Sequence, residues 1–248
     1  MRTDRAELLA IEEVAVRGWP ALHSAVIDGW VWRHSSGGSV RANSVAALAF
    51  TGSDVEGTIT EVERSYRDAG APSRFTISMV SVPADLDARL AVRGYVRGDD
   101  HVTMARRVEC CSMPTDAIEV GAEPPSDWME VYLSGLSPDR RGVAASILAR
   151  LPARRMYFAC RRSGKLVGSG LSIADGSLAS VQCMATRPEA QRQGCARSVL
   201  AAIERWAARQ GCDLLYLQTG ADNAAAQALY CHYGFFLAGR YHTRVLAR

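Results

Sequence analysis

The spacing of apolar positions changes period repeatedly along this chain, and each change marks an element. Between Asp4 and Arg17, apolar side chains fall at Leu8, Leu9, Ile11, Val14 and Ala15 with acids between them, one face of an amphipathic helix, and Pro20 follows its end. Residues 26–33, with Trp30 and Trp32 flanking Val31, and residues 39–48 are rich in strand-forming side chains. The turn Ser35-Ser36-Gly37-Gly38 between them predicts a hairpin. A helix is predicted over 55–68, stopped by Gly70, then a strand over 75–80, a short helix over 84–92 stopped by Gly94, and a strand over 102–108.

Periodicity then fades through 110–127, where Pro114, Pro124 and Pro125 cluster, which puts a domain junction near 110–116 and divides the chain into 1–113 and 114–248. Beyond it the pattern predicts helices over 127–134, stopped by Gly135, and 138–151, then strands over 155–162 and 165–173 joined by Ser163-Gly164. A strand over 178–185, a basic loop containing Gly194, a helix over 195–210, a strand over 214–219 and a helix over 224–233 follow. Two strands, 235–238 and 242–246, end the chain.

The halves resemble each other. Val62-Glu63-Arg64 is followed by Gly70, a strand from Phe75, and Leu90 four residues before Gly94-Tyr95; Ile203-Glu204-Arg205 is followed by Gly211, a strand from Leu214, and Tyr230 four residues before Gly234-Phe235. This agreement over about 80 residues per half predicts a tandem duplication of one α/β unit. The copies differ where chemistry would sit. The first has Ala46-Ala47-Leu48-Ala49-Phe50-Thr51-Gly52-Ser53 before its helix, with no basic glycine loop, and Leu90 in place of Tyr230.

Composition narrows the class. At 248 residues, 48% hydrophobic and 22% charged, the chain can bury a sizeable core, and no apolar stretch approaches the ~20 residues of a membrane helix. A cytosolic protein without a secretion signal is expected. Seven cysteines without a Cys-x-x-Cys pair indicate neither a disulfide framework nor a zinc site, so no metal is expected and most cysteines are expected in the core. Residues 1–115 carry 13 basic and 15 acidic side chains and residues 116–248 carry 16 and 11, so the positive excess lies with the glycine loop. That fits a small polyanion, and it is too weak for nucleic acid.

In the segment Gln191-Arg192-Gln193-Gly194-Cys195-Ala196-Arg197, a basic turn opens a helix, where unpaired amides and the positive helix end can hold an anion. With the strand before it and Asn223 and Tyr230 beyond, this order resembles the Gcn5-related N-acetyltransferase family, whose members carry an Arg/Gln-x-x-Gly-x-Gly/Ala loop for coenzyme A. The segments Met184-Ala185-Thr186-Arg187-Pro188, Leu229-Tyr230 and Gly234-Phe235 also look like that family's flanking positions, and the likeness covers 116–248 closely.

The resemblance implies an α/β fold of two tandem acyl-CoA N-acyltransferase-like domains, each a mixed, mostly antiparallel sheet flanked by helices, with only the second active. It implies acetyl-CoA as acyl donor and an amine acceptor, small molecule or peptide, that attacks the thioester directly. Amides from Arg192 to Arg197 would cradle the pyrophosphate, and main-chain groups near Met184 and Thr186 would bond the pantetheine arm. The Met184 or Ala185 amide would polarise the acetyl carbonyl. Tyr230, a phenol with a reference pKa of about 10, would protonate the leaving thiolate, and Asn223 would cap its helix or reach the cofactor.

The base is unassigned among Asp175, Gln218 through water, Asp222, His232, His242 and Tyr241. Trp30 and Trp32, near Asp28 and Arg41-Ala42-Asn43-Ser44, alternate onto one face, which is a core or interface face or else the lining of a substrate cleft. A non-catalytic acyl-CoA-binding scaffold and an acyltransferase with another donor or a hydroxyl acceptor are the competing functions. Neither membrane nor nucleic acid is an expected partner, and monomer and homodimer are equally open.

Overall fold

A computed structural model describes residues 3–109 and 118–247; the expected junction at 110–116, with Cys110 and Cys111, lies outside the described residues. The first half runs α1 (Arg5–Gly18), β1 (His23–Ile27), β2 (Trp30–His34), β3 (Val45–Ala46), α2 (Val55–Asp68), β4 (Ser73–Ser78), α3 (Leu86–Val92) and β5 (Val96–Arg107). The second runs β6 (Ile118–Gly121), α4 (Trp128–Ser134), α5 (Pro138–Arg141), α6 (Ala144–Leu148), β7 (Arg155–Arg162), β8 (Lys165–Asp175), β9 (Leu178–Ser180), β10 (Gln182–Thr186), α7 (Cys195–Arg209), β11 (Leu214–Gly220), α8 (Ala224–His232) and β12 (Phe236–Leu246).

The repeat is visible in the backbone. Gly70 and Gly211 both take positive φ, +65° and +73°, where α2 and α7 end, and Gly94 and Gly234 do the same after α3 and α8. Tyr95 N donates to Leu90 O as Phe235 N donates to Tyr230 O, so the helix stops are built identically.

Four local expectations change. The hairpin turns at Asp28-Gly29, both at positive φ, and pairs His23–Ile27 with Trp30–His34, because a two-residue Asp-Gly turn matches the twist of the strands. Residues 39–48 instead supply a 3₁₀ turn, Arg41–Asn43, and the short β3. The helix expected over 138–151 breaks into α5 and α6 around Gly142, and the two expected terminal strands are one, β12, with irregularities between Leu237 and Gly239 and between His242 and Arg244. Trp30 and Trp32 belong to the first half's core, with Trp30 fully buried, T-shaped on Phe75 and donating from Nε1 to Val82 O. They line no cleft.

The strands form one mixed sheet in the order β1-β2-β3-β4-β12-β5-β11-β9-β8-β7-β6, with β10 paired to β8; the β3–β4 and β9–β11 pairs are parallel. The two final strands are exchanged between the copies. β12 runs antiparallel beside β4 of the first half (Tyr241↔Ser78), and β5 runs antiparallel beside β11 of the second (Gln218↔Thr103). The two exchanged strands pair with each other from Phe236↔Ala105 to Val245↔Val96.

Alternation along these strands sorts side chains between two faces. Val102, Met104, Leu215, Leu217 and Phe158 pack under α7 and α8. Ala105, Leu214 and Tyr216 pack under α1, and Tyr157, Ala159 and Leu171 under α4 and α6.

Polar latches accompany the exchange. Glu204 on α7 is fully buried and accepts from Arg106 Nε of β5 (3.0 Å) and from Tyr233 OH (2.8 Å). Asp87 on α3 accepts from Arg244 Nε of β12 (2.8 Å) and faces His242 Nε2 at 2.7 Å, and chiefly through Arg244 its pKa falls to about 2. His242 is thereby part of the latch.

A depressed folded-state pKa contributes stability that is present above the ordinary carboxylate value near 4 and lost as pH falls toward 2. Because the Asp87 side chain is 38% exposed, solvent screening limits this to about 1 kcal/mol. The melting-temperature gap between wild type and Asp87→Asn should therefore shrink as pH falls from 5 toward 2, and a pH-independent gap would refute the latch.

Candidate active site

The site begins where two neighbouring strands part. β9 pairs with β11 only over Leu178–Ser180, and Val181 N makes a last bond to Tyr216 O (2.8 Å). Cys183 then takes φ +52°, the pairing register shifts, and β10 continues along β8 alone, with Ala185 opposite Ser169 and Thr186 opposite Gly168. Meanwhile β11 continues along β5, so a fork opens between β10 and β11. Arg187 N donates to Val167 O, which makes 187 and 185 the positions bonded to β8; antiparallel alternation then turns the main-chain groups of Met184 and Thr186 toward the fork. The predicted strand over 178–185 is in this way two segments. The break falls at the site.

Below the fork lies the basic loop. After a 3₁₀ turn over Pro188–Ala190, Gln191, Arg192 and Gln193 are exposed, and Arg192 and Gly194 take positive φ, +61° and +83°. Gly194 is the N-cap of α7 and no side chain caps that end, so the amides of Cys195, Ala196 and Arg197 form an uncapped first turn. A Cβ on Gly194 would meet nothing within 4 Å; the glycine is needed for its left-handed backbone, and space does not require it.

In the first copy the equivalent helix end is already occupied. Asp54 caps α2, its carboxylate accepting from Gly57 N at 3.0 Å. Arg162 clasps the loop from β7 through its bonds to Gln193 Oε1 (3.1 Å) and Gln193 O, and Gln193 Nε2 reaches Glu189 O. Arg187 pairs with Glu130 at 2.7 Å and so contributes less positive charge than its sequence position implies.

Cys195 packs its thiol beneath β8, where a Cβ on Gly168 would collide with it, which accounts for both residues structurally. Cys160 and Cys212 are likewise buried, whereas Cys183 is half-buried and Cys231 exposed.

Met184, Asn223 and Tyr230 line one cavity of about 210 Å³ at the fork. Tyr230 is buried against Phe235, and loss of solvent pushes its pKa up to about 12, so it stays a proton donor at any working pH. Asn223 caps α8, its Oδ1 accepting from Ala226 N at 3.1 Å. A wider cleft of about 860 Å³ opens beside this cavity, with Asp99, Asp100, His101 and Asp222 on its rim and Arg41, Arg140 and Gln218 shared between the two spaces.

Of the base candidates, Asp222, Gln218 and Tyr241 line this cleft. Asp175 is paired with Arg17 at 2.7 Å and His232 is exposed at the end of α8, so both leave the list. Burial lowers the His101 pKa, and the ring stacks on Tyr241 at 4.8 Å, so an imidazole absent from the sequence-based candidates stands neutral in the cleft.

The first half thus contributes to the site, through Glu12 and Trp19, which sequence patterns did not single out, and through Arg41, which they set near a possible substrate cleft. Glu12 on α1 is buried, desolvation raises its pKa, and it accepts from Thr103 Oγ1 (2.9 Å) and Gln218 Nε2 (3.0 Å). Gln218 Oε1 in turn accepts from Arg41 Nη1 (3.0 Å), and the Arg41 guanidinium lies 5.7 Å from the Trp19 ring centre. An acid inside an apolar helix stripe was the available signal for Glu12. Trp19, Gln182 and Tyr216 gave none, because each looks like ordinary core.

A forked mixed sheet with an uncapped helix end below the fork defines the class of Gcn5-related N-acetyltransferases. Within it, the chain belongs to the family described as probable histone acetyltransferase Rv0428c C-terminal, whose model matches residues 5–244. It is 29% identical over 249 residues to the uncharacterized N-acetyltransferase YobR of Bacillus subtilis (strain 168), covering 96% of this chain and 98% of that one. Among solved structures, a GCN5-related N-acetyltransferase from Kribbella flavida matches with a TM-score of 0.71 at 14% identity, over 100% of this chain and 98% of that one. A tandem GNAT protein from the clavulanic acid biosynthesis pathway matches with a TM-score of 0.61 at 13% identity, over 82% and 74% of the two chains. These likenesses establish the fold.

Gly194→Asp tests the helix end directly, since it would give α7 the acidic cap that α2 already has. Backbone strain of about 1 kcal/mol should leave the protein folded while calorimetric titration shows coenzyme A binding weakened at least about 100-fold. Retained affinity would remove the phosphate role from this loop.

Proposed function

We propose that the protein transfers the acetyl group of acetyl-CoA to an amine by direct attack on the thioester, and that residues 114–248 form the active unit, with 1–113 a copy that has lost its donor site. One contrast carries this reading: an uncapped α7 start with Gly194 at φ +83° and Tyr230 above it in the second copy, against the Asp54 cap and Leu90 in the first. A coenzyme A pyrophosphate fits the former and would be repelled by the latter.

The amides of Cys195, Ala196 and Arg197 hold the pyrophosphate, with Arg192 and Arg197 nearby, and Gly194 keeps the approach open. Gln191, Arg192 and Gln193 form the loop's outer wall. The edge of β10 at Met184 and Thr186 bonds the pantetheine arm as an added strand, with Ala185 holding that edge to β8. The Met184 amide, which faces the fork where that of Ala185 faces β8, donates to the acetyl oxygen as negative charge grows there, a contribution of order 10²–10³ in rate.

The acceptor enters through the wide cleft, and Asn223 closes the cavity beside the reacting centre. Asp222 and neutral His101 line the route by which the ammonium proton leaves. Tyr230 gives its proton to the departing thiolate. No helix among the described residues is long and apolar enough to cross a membrane, and the cytoplasm, where acetyl-CoA is made, is the proposed location.

Tyr230→Phe keeps the ring and its packing on Phe235 and removes the hydroxyl that carries the proton. Turnover should fall about 100-fold while coenzyme A affinity changes less than about twofold. Equal turnover in variant and wild type would sink the acid assignment.

A further inference from the structure

A smaller space adjoins the wide cleft on the seam between the halves, and it shares Arg41, Gln218 and Tyr241 with that cleft. Its volume is about 20 Å³, and Glu12 of α1, Arg33 of β2 and Ser78 of β4 complete its polar lining. The acetyl-transfer chemistry uses none of it.

Arg33 is the unusual residue there. It is only 4% exposed, its Nε donates to Ser44 O (3.1 Å), and its two outer nitrogens make no hydrogen bond among the described residues. Those nitrogens keep accessible surface, so they meet the cavity rather than packed side chains. A buried guanidinium cannot shed its proton at neutral pH, and it is normally paired with a carboxylate that replaces its lost hydration. No carboxylate among the described residues pairs with Arg33 or with Arg41, whose one side-chain hydrogen bond goes to Gln218 Oε1 (3.0 Å). Burial pulls the Arg33 pKa down to about 10, and the charge of Arg41 pushes the same way.

Glu12 does not resolve this. Its carboxyl is held by Thr103 Oγ1 (2.9 Å) and by Gln218 Nε2, which lies 3.1 and 3.0 Å from its two oxygens, and it forms no ion pair with either arginine. One carboxyl against two guanidinia leaves the lining positive whether Glu12 is ionised or protonated. The other polar groups add donors. Tyr241 is 4% exposed and its hydroxyl has no hydrogen-bond partner among the described residues, while Ser78 Oγ accepts from Val80 N (3.4 Å) and keeps its own hydrogen to give.

We propose that this cavity is a halide site, in which one chloride ion sits between Arg33 and Arg41 and accepts from their guanidinium N–H groups, with the Tyr241 and Ser78 hydroxyls as further donors. Size selects such an ion, because a space of about 20 Å³ takes a water-sized or slightly larger sphere and excludes sulfate and phosphate. Charge selects it too. One negative charge neutralises the lining when Glu12 is ionised, whereas a dianion would overcompensate beside a buried carboxylate, and water would leave the excess charge in place. Arg41 also lines the fork cavity, so the ion fixes a side chain that all three spaces share.

The test follows thermal unfolding in sodium gluconate, with chloride or bromide exchanged in at constant ionic strength. An ion that binds only the folded protein stabilises it by mass action, so the wild-type melting temperature should rise at least about 3 °C between about 1 and about 200 mM of either halide. In Arg33→Met the rise should shrink below about 1 °C. Crystals soaked in sodium bromide should show an anomalous-scattering peak between Arg33 and Arg41.

A wild type that melts alike in gluconate and halide, an undiminished halide effect in Arg33→Met, or bromide-soaked crystals without that peak would each overturn the site and leave the cavity to water. Should Arg33→Met not fold, the wild-type salt series and the bromide map decide. Neither readout depends on acetyl transfer, so the site stands or falls apart from that reading.

Discussion

Because β5 bonds to β11 on one edge and β12 on the other, while β12 bonds to β4, the two halves share hydrogen-bond ladders that neither can complete alone. The outer arm of the fork inherits its position from that exchange. β5 brings Thr103 and His101 against β11 and props the outer arm of the fork on a strand of the other copy. Glu12, held by Thr103 and Gln218, then spans from α1 to the exchanged strand and to the fork. The latches at Glu204 and Asp87 tie helices of each half to the other's final strand, so separating the halves would expose unpaired strand edges and buried charges together.

The two halves share a backbone plan and differ at the helix start where the proposed donor site lies. The backbone has stayed alike, down to the positive-φ glycines that end α2, α3, α7 and α8. What separates the copies is a few side chains: Asp54 against Gly194 at the helix start, Leu90 against Tyr230 on the following helix. A helix end attracts any anion, and a covalently attached carboxylate at high local concentration excludes a diffusible one. The first half still reaches the spaces at the fork, whose lining includes its Trp19, Arg41 and His101.

Much of this was legible in the residues. The 3.6 period and the stopping glycines placed α2 over 55–68 and β7 over 155–162 with the bounds the structure has, and the likeness between Glu63…Gly94 and Glu204…Gly234 revealed the repeat before any coordinates. The errors had physical sources. The strand propensity of Trp30-Val31-Trp32 masked the Asp28-Gly29 turn, whose backbone preference outweighs it. The apolar run through Met184 hid the bend at Cys183, since a cysteine at positive φ has no local sequence signature and is held there by β8 and Ser169, whose Oγ donates to Cys183 O at 2.9 Å.

By itself, then, the sequence determined the elements, the repeat and the basic segment that the proposed donor site uses. Those features depend on local propensity and on one contiguous segment, Gln191 to Arg197, which carries its glycine and its helix start within itself. Only the tertiary structure decided the strand exchange and the cavity at the fork, because its lining comes from segments far apart in the chain: Trp19 and Arg41 of the first half meet Met184, Gln218 and Tyr230 of the second.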